Sequence, residues 1–155
     1  MITVALCTQK GGTGKTTIAT ALAVAAHLAG KKSALLDLDP QTNATVTVMD
    51  EERWIERNEA GQTVAQLFAD RLNPKEPPRF NIHEAIIHQV SSVDGGIARL
   101  DLLPSSVDLL EVQDDLPLIA VRGNFTATPL DILKQALAPV LERYDYIIMD
   151  CPPSL

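Results

Sequence analysis

The stretch QKGGTGKTT at residues 9–17 constrains the fold more than any other part of the chain. It follows a short apolar, β-branched run at residues 2–7 and precedes an alanine-rich segment at residues 16–29. The run predicts a central parallel strand buried on both faces, and the segment predicts a helix. Glycines at such a junction let backbone N–H groups turn toward oxygen anions, and the helix N-terminus adds partial positive charge. The stretch therefore predicts a loop that holds phosphate groups.

The rest of the chain alternates between strand and helix patterns. Further strands are predicted at residues 33–39, 98–104 and 146–150. Helical spacing occurs at residues 63–72, 82–89 and 105–116, and a further helix is predicted from Thr128 to about Arg143, bent by Pro139. The charged run at residues 50–59 predicts a solvated helix or loop, with Trp54 as a packing anchor. This alternation predicts an α/β fold with a mainly parallel sheet flanked by helices on both faces.

Composition excludes several classes of protein. The 155 residues suit one domain with a hydrophobic core. The net charge of −7 argues against a surface devoted to nucleic acid, and no apolar run approaches the roughly 18 residues of a membrane span. The two cysteines, Cys7 and Cys151, fall in apolar runs and are expected to be buried and reduced. The cysteines and histidines show no metal-ligand spacing. From the reduced cysteines and the lack of a membrane span, we expect a cytoplasmic protein.

The loop carries the residues that phosphate chemistry needs. Lys15 is placed for the β- and γ-phosphates of a nucleotide, and Thr16 can offer its hydroxyl to Mg²⁺. The loop departs from the usual G-x-x-x-x-G-K-[ST] pattern, because Gln9 occupies the first glycine position and Lys10 stands beside it. Two lysines aimed at one phosphate group would be redundant and would repel each other. We therefore expect Lys10 to point outward, toward the nucleotide of a facing subunit.

Three boxes of sequence resemble the ParA/MinD family of P-loop ATPases. KGGTGKTT resembles the deviant Walker A box of that family, and LLDLDPQTNAT (35–45) resembles its second box, with Thr42 in place of the commoner glycine. YDYIIMDCPPSL (144–155) resembles the Walker B strand and the prolines after it. The resemblance implies a P-loop NTPase fold. It also implies that residues 1–155 are the N-terminal part of a single ParA-type ATPase domain that ends after the Walker B strand.

The resemblance implies ATP and Mg²⁺ as cofactors and assigns roles to individual residues. Asp39 is expected to orient the attacking water, Asp150 to hold a metal-bound water, and Asp37 to support Mg²⁺ or the loop geometry. The expected catalytic residues are Lys10, Lys15 and Asp39. The expected metal-site residues are Thr16, Asp37, Asp39 and Asp150, and the expected nucleotide-binding residues are Lys10, Gly11, Gly12, Thr13, Gly14, Lys15, Thr16 and Thr17.

The resemblance further implies a protein that partitions or positions plasmid or chromosomal DNA. The expected partners are a second copy of the chain with ATP sandwiched between, non-specific DNA, and a centromere-binding or adaptor protein that stimulates hydrolysis. Nucleoid association is expected. DNA-binding and adenine-contacting residues are expected beyond residue 155. Because the resemblance begins at the first strand, we expect no helix-turn-helix extension before it.

Other functions remain open from the sequence. A MinD-like or other ParA-related ATPase would position a membrane-bound or protein cargo. A metabolic ATP-dependent ligase or synthetase on the same fold would need a substrate pocket, and Lys10 with the D-P-Q box argues against it. A nucleotide-binding module without turnover is a further alternative.

Overall fold

Four parallel strands form one sheet in the order β1-β4-β2-β3. The computed structural model describes residues 1–91, 97–116 and 128–153. β4 has the predicted bounds. β1 ends one residue earlier than predicted, β2 ends two residues earlier, and β3 begins two residues later and ends one residue earlier. The strands are β1 Ile2–Leu6, β2 Ser33–Asp37, β3 Leu100–Leu103 and β4 Tyr146–Asp150.

Helices cover both faces of this sheet, as predicted. They are α1 Lys15–Leu28, α2 Asn43–Val48, α3 Glu51–Glu59, α4 Val64–Leu72, α5 Ile82–Ala85, α6 Leu109–Gln113 and α7 Pro129–Leu137, with a 3-10 helix at Leu141–Arg143. Successive residues of β2 point to opposite faces: Ala34 and Leu36 pack into one core cluster, and Leu35 packs into the other. The first cluster includes residues of α4 to α7, and the second includes residues of α1 and α2. None of the described helices is long and apolar enough to cross a bilayer.

Three predicted helices are shorter in the structure. The one at residues 82–89 ends at Ala85, because Ile86 is extended and Ile87 forms an antiparallel bridge with Leu102. The one at residues 105–116 is helical over Leu109–Gln113. The last one begins as predicted, with a complete capping box at Thr128 and proline in the first turn. It ends at Leu137 instead of continuing in a bent form, because proline at position 139 supplies no N–H to extend the helix.

The environment of β1 differs from the prediction. β1 lies at one edge of the described sheet and pairs with β4 on one side, and three of its five residues are exposed. Cys7, just after it, is also exposed, whereas Cys151 is buried as predicted. The apolar, β-branched composition predicted the strand correctly, but it does not determine how many strands lie beside it. The prediction of a strand buried on both faces was therefore wrong for this chain.

Strand register brings three loops to one edge of the sheet. Asp150 at the end of β4 pairs with Leu6 of β1 and with Asp37 of β2. The segments that follow these three strands therefore leave the sheet side by side, at its carboxyl edge. This is the edge at which open parallel sheets bind their ligands.

A separate polar cluster joins the opposite ends of the strands. Asp101 in β3 is buried and accepts hydrogen bonds from Tyr144 Oη at 2.8 Å and from Lys32 Nζ at 3.1 Å, and it pairs with His88 Nδ1 at 2.8 Å. Burial alone would raise the pKa of Asp101, but the hydrogen bonds from His88, Tyr144 and Lys32 together hold it below its ordinary value. We assign this cluster to stability, because it lies at the end of the sheet away from the phosphate loop.

Candidate active site

The phosphate loop connects β1 to α1 and takes its shape from two glycines. Gly12 and Gly14 have φ angles of 71° and 82°, in the left-handed region that side chains other than glycine rarely adopt. Gly14 is also the N-cap of α1 and accepts the hydrogen bond from Ile18 N at 2.9 Å. The first N–H groups of α1 therefore point toward the loop, where an anion can accept their hydrogen bonds.

A threonine that the sequence analysis did not single out stabilises this loop from within. Thr8 Oγ1 donates to the carbonyl of Lys10 at 2.9 Å and lies 2.9 Å from Thr13 Oγ1. Since the hydroxyl hydrogen of Thr8 points to Lys10, the Thr13 hydroxyl donates to Thr8. Both contacts cross the turn, so Thr8 fixes the entry to the loop. The indication of this role in the sequence was that Thr8 directly precedes Gln9, the first residue of the loop.

A cavity of about 230 Å³ opens between the loop and the segment after β2. Lys15 and Thr16 are half-buried in its wall, whereas Thr17 is exposed on α1. Lys10 is exposed and lies outside the set of described residues that line the cavity. The sequence predicted the loop and Asp39 in this wall but did not single out Gln41, Asn43 or Pro153. The lining residues are Gly11, Gly12, Thr13, Gly14, Lys15, Thr16, Asp39, Gln41, Asn43 and Pro153.

Thr16, in the cavity wall, contacts Asp150 at the end of β4. The Thr16 hydroxyl donates to Asp150 Oδ2 at 2.6 Å, and Asp150 Oδ1 is buried without a hydrogen-bond partner in the described part of the chain. Burial raises the pKa of Asp150; the Thr16 hydrogen bond opposes this, the charge of Asp39 adds to it, and the charge of Lys15 opposes it. A hydroxyl beside a carboxylate oxygen that lacks a partner is a donor set that fits Mg²⁺ and its bound waters.

Asp39 lies in the turn after β2 and is almost fully buried. Its Oδ1 accepts a hydrogen bond from Gln41 N at 2.9 Å, and its carbonyl accepts one from Thr42 N at 2.9 Å. Thr42 stands in the left-handed region with φ 58°, which accounts for a preference for glycine at that position. The turn thus fixes Asp39 in the cavity wall, close enough to Asp150 for its charge to raise the pKa of Asp150.

Asp37 is fully buried and its carboxylate is used by protein groups. Oδ1 accepts from Asp39 N at 3.1 Å, and Oδ2 accepts from both the N–H and the hydroxyl of Thr45 at 2.8 Å. Burial raises the pKa of Asp37 to about 6, and the hydrogen bonds from Thr45 and Asp39 limit the rise. Of the two roles expected for Asp37, this geometry favours support of the loop geometry over direct support of Mg²⁺.

Thr45 links this loop to β3. Its hydroxyl donates to Asp37 and accepts from Ser105 N at 3.0 Å, and all three residues are fully buried. Trp54, expected to be a packing anchor, donates from Nε1 to the carbonyl of Ser105 at 3.0 Å. The segment that carries Asp39 is therefore tied to the end of a neighbouring strand by a continuous chain of hydrogen bonds.

The two cysteines directly follow β1 and β4, at the edge of the sheet where the phosphate loop begins. Both are free thiols. Burial, and then the Cys7 thiol, raise the pKa of Cys151 to about 12. Among the described residues, no group of three or more His, Cys, Asp or Glu side chains could hold a metal ion. A Mg²⁺ site does not need such a group, because this ion keeps several waters and takes one or two protein oxygens.

Comparison with known proteins decides the family. A family model described as an AAA domain matches residues 1–155, the whole chain. The chain is also 35% identical over 153 residues to the chromosome-partitioning ATPase Soj of Treponema pallidum, which covers 99% of this chain and 49% of that relative. The chain belongs to the ParA-type P-loop ATPases. It spans about half the length of the curated relatives that it matches.

Solved structures support the same fold. A putative plasmid partition protein from Borrelia burgdorferi B31 bound to AMPPNP is 25% identical, with a TM-score of 0.70 over 98% of this chain and 52% of that chain. Cobyrinic acid a,c-diamide synthase from Mycobacterium smegmatis, with a bound ATP analogue and magnesium, is 26% identical, with a TM-score of 0.69 over 99% of this chain and 52% of that chain. ParA-type ATPases and a synthetase thus share this part of the fold.

Proposed function

We propose that this protein is a ParA-type partition ATPase, which positions DNA through ATP-dependent dimerisation and is released by hydrolysis. The observation that carries the proposal is the different position of two lysines of one loop. Lys15 lines the cavity, whereas Lys10 is exposed and lies outside the cavity lining. A P-loop that serves one subunit alone needs one phosphate-binding lysine, so the second lysine is available to a facing subunit.

Within one subunit, the roles follow from position. Lys15 balances the negative charge of the β- and γ-phosphates, and the N–H groups of the loop and of the start of α1 donate to their oxygens. Thr16 and Asp150 would hold Mg²⁺ and its waters. When bound, that ion neutralises charge as the terminal phosphoryl group is transferred. The Oδ1 atom of Asp39 is occupied by Gln41 N, which leaves Oδ2 to accept a hydrogen bond from the attacking water.

Lys10 completes the site of the partner subunit in this proposal. Its ammonium would meet the charge that develops on the transferring phosphoryl group, as an arginine finger does in trans. ATP would then bridge two subunits, and conversion to ADP would remove the group that Lys10 contacts. Dimerisation and hydrolysis would therefore depend on the same residue, which gives the protein an ATP-driven switch.

DNA is the proposed cargo, with a centromere-binding or adaptor protein as the stimulating partner and the nucleoid as the place of action. Support comes from relatives described as chromosome-partitioning and plasmid partition proteins. The 155 residues carry a net charge of −7, so we expect this chain alone to bind duplex DNA weakly. The full-length gene product with ATP is expected to bind DNA without sequence preference and to lose affinity steeply as salt rises. A gel shift at two salt concentrations measures both.

Mixing two inactive variants tests the dimer mechanism. Lys10→Ala and Asp39→Ala proteins are combined in full-length form, and phosphate release is measured with ATP and Mg²⁺. If Lys10 acts in trans, one site of each mixed dimer lacks both groups and the other site lacks neither. Activity should therefore partly return on mixing, although each variant alone is inactive.

The control for this experiment is proof that mixed dimers form, from differently tagged subunits purified together. Equal inactivity in dimers shown to form would place Lys10 in its own subunit and contradict the proposed mechanism. A synthetase on the same fold, as in the M. smegmatis enzyme, would instead turn over ATP only with an acid and an amine donor present. Phosphate release without such substrates argues for the partition ATPase.

A further inference from the structure

The two cysteines of the chain directly follow two neighbouring strands, β1 and β4. Leu6 of β1 pairs with Asp150 of β4, and Cys151 N donates to the carbonyl of Leu6 at 3.2 Å, as the last pair of a parallel ladder requires. Cys7 and Cys151 are the next positions in this register, and residues at matching positions point to the same face of a sheet. Neighbouring strands lie about 4.8 Å apart, within the Cα separation of about 4.4–6.8 Å that a disulfide spans.

The difference in exposure between the two thiols completes the geometry. Cys7 is exposed and Cys151 is buried. A small oxidant from solvent therefore reaches Cys7 first, and Cys151 is held in place to react with the product.

The position of this pair connects it to the phosphate loop. Cys7 directly precedes Thr8, whose hydroxyl contacts Lys10 and Thr13 across the loop. Cys151 directly follows Asp150, which accepts the hydrogen bond from Thr16. A covalent bond between the two cysteines would thus join the entry of the loop to the end of the strand that carries Asp150.

We propose that Cys7 and Cys151 are a peroxide-sensitive thiol pair whose disulfide weakens nucleotide binding at the adjacent loop. The Cys7 sulfur attacks one oxygen of hydrogen peroxide, the O–O bond breaks, and the second oxygen leaves as water with the Cys7 proton. The Cys151 sulfur then attacks the resulting sulfenic sulfur, and the S–O bond breaks. The hydroxyl leaves as a second water with the Cys151 proton. Two electrons pass from sulfur to peroxide, and a dithiol reductant reverses the change.

Bond formation would pull Cys7 toward β4, because the two sulfur atoms must close to about 2 Å. Thr8 follows directly, so its contacts inside the loop are displaced. We expect affinity for ATP to fall by at least ~10-fold; this effect on nucleotide binding rests on the proposed function of the loop. Because coupling is reciprocal, saturating ATP should raise the reduction potential of the pair by about 30 mV for a tenfold effect.

The test begins with covalent chemistry, which does not depend on nucleotide binding. The folded chain is treated with dilute peroxide at low protein concentration and analysed by mass spectrometry and non-reducing peptide mapping. We expect the loss of two hydrogens and a single Cys7–Cys151 linked peptide. Cys7→Ser and Cys151→Ala proteins are the matched controls and should form no internal disulfide. Free thiols or over-oxidised Cys7 in the wild-type chain would overturn the proposal.

Calorimetry with ATP and Mg²⁺ then compares the reduced, oxidised and re-reduced forms of the full-length protein. The expected result is weaker binding after oxidation, recovery after reduction, and no effect of peroxide on Cys7→Ser protein. Unchanged affinity of the disulfide form would refute the link to the loop. If the reduced protein does not bind ATP at all, the proposed function fails, and the proposed regulation of ATP binding by the disulfide fails with it. The disulfide itself is still decided by the mass measurement.

Discussion

Replacing Thr45 by valine should destabilise the fold strongly while changing its shape very little. Valine keeps the branched outline of threonine and removes the hydroxyl. That hydroxyl donates to Asp37 Oδ2 at 2.8 Å and accepts from Ser105 N at 3.0 Å, in a place where all three residues are fully buried. Thr45→Val therefore removes one donor from a carboxylate and leaves one backbone N–H without an acceptor.

The size of the loss follows from these two contacts. A hydrogen bond to a charged group contributes about 1.5–3 kcal/mol, and a buried N–H left without a partner costs about 1–3 kcal/mol. The expected loss in free energy of unfolding is therefore between about 2.5 and 6 kcal/mol. A typical domain has about 5–15 kcal/mol in total, so the variant should be visibly less stable in any unfolding experiment.

Urea unfolding of the wild type, Thr45→Val and Thr45→Ser measures this loss. Serine keeps the hydroxyl and removes the methyl group, so Thr45→Ser should retain most of the stability. The slope of free energy against urea should be the same in all three proteins, because the surface exposed on unfolding is unchanged. The reasoning is refuted if Thr45→Val lies within ~0.5 kcal/mol of the wild type, or if serine is as harmful as valine.

The pH dependence of stability provides a second check on the same contact. Burial raises the pKa of Asp37 from 3.8 to about 6, so the folded protein holds a proton there that the unfolded chain has lost. Stability from this group is complete below pH ~4 and falls by about 3 kcal/mol as the pH rises through 6. Without the Thr45 hydroxyl the pKa rises further. The deficit of Thr45→Val relative to the wild type should therefore be larger at pH 7.5 than at pH 4.5.

Three further predictions concern the loop, the turn after β2 and α7. In the full-length protein, Lys15→Ala should weaken ATP binding at least ~10-fold, or about 1.4 kcal/mol, by calorimetry; Lys31→Ala, which removes an exposed lysine after α1, should bind normally. Asp39→Asn keeps an acceptor for Gln41 N, so full-length protein should bind ATP but release almost no phosphate; normal release would move water positioning to another residue. Thr128→Ala breaks the capping box of α7 and should cost about 1 kcal/mol in urea unfolding, whereas Thr128→Ser should cost little.

Local motifs account for what the sequence predicted correctly. The phosphate loop is specified by glycines, a lysine and a threonine that are consecutive in the chain, and the start of α7 is specified by Thr128 and the residues just after it. The four strands were predicted because short apolar runs that are bounded by turn residues leave a clear pattern. In each case the residues that form the recognisable pattern are close to one another in sequence.

Long-range contacts account for what the sequence analysis missed. The helix predicted at residues 82–89 has helical spacing, but Ile87 instead pairs with Leu102 of β3. The Thr45 hydroxyl accepts a hydrogen bond from Ser105, 60 positions later in the chain. Asp101 contacts residues of three other segments of the chain. No window of sequence contains both members of such a pair. The sequence could therefore name Asp37 and Asp39 but could not separate the buried supporting residue from the one in the cavity wall.

The charges at the carboxyl edge of the sheet indicate how metal and nucleotide would stabilise this part of the fold. Burial is the largest cause that raises the pKa values of Asp150 and Asp37; in addition, the charge of Asp39 raises the pKa of Asp150, and the charge of Asp150 raises that of Asp37. Lys15 opposes only part of this repulsion, and buried charges without partners are costly. A divalent cation held by Thr16 and Asp150 would reverse the sign of the local field, and the phosphates of ATP would pair with Lys15. These carboxylates therefore lower the stability of the folded state, and binding of nucleotide and metal together would offset that effect. Ligand binding should stabilise the folded state by mass action.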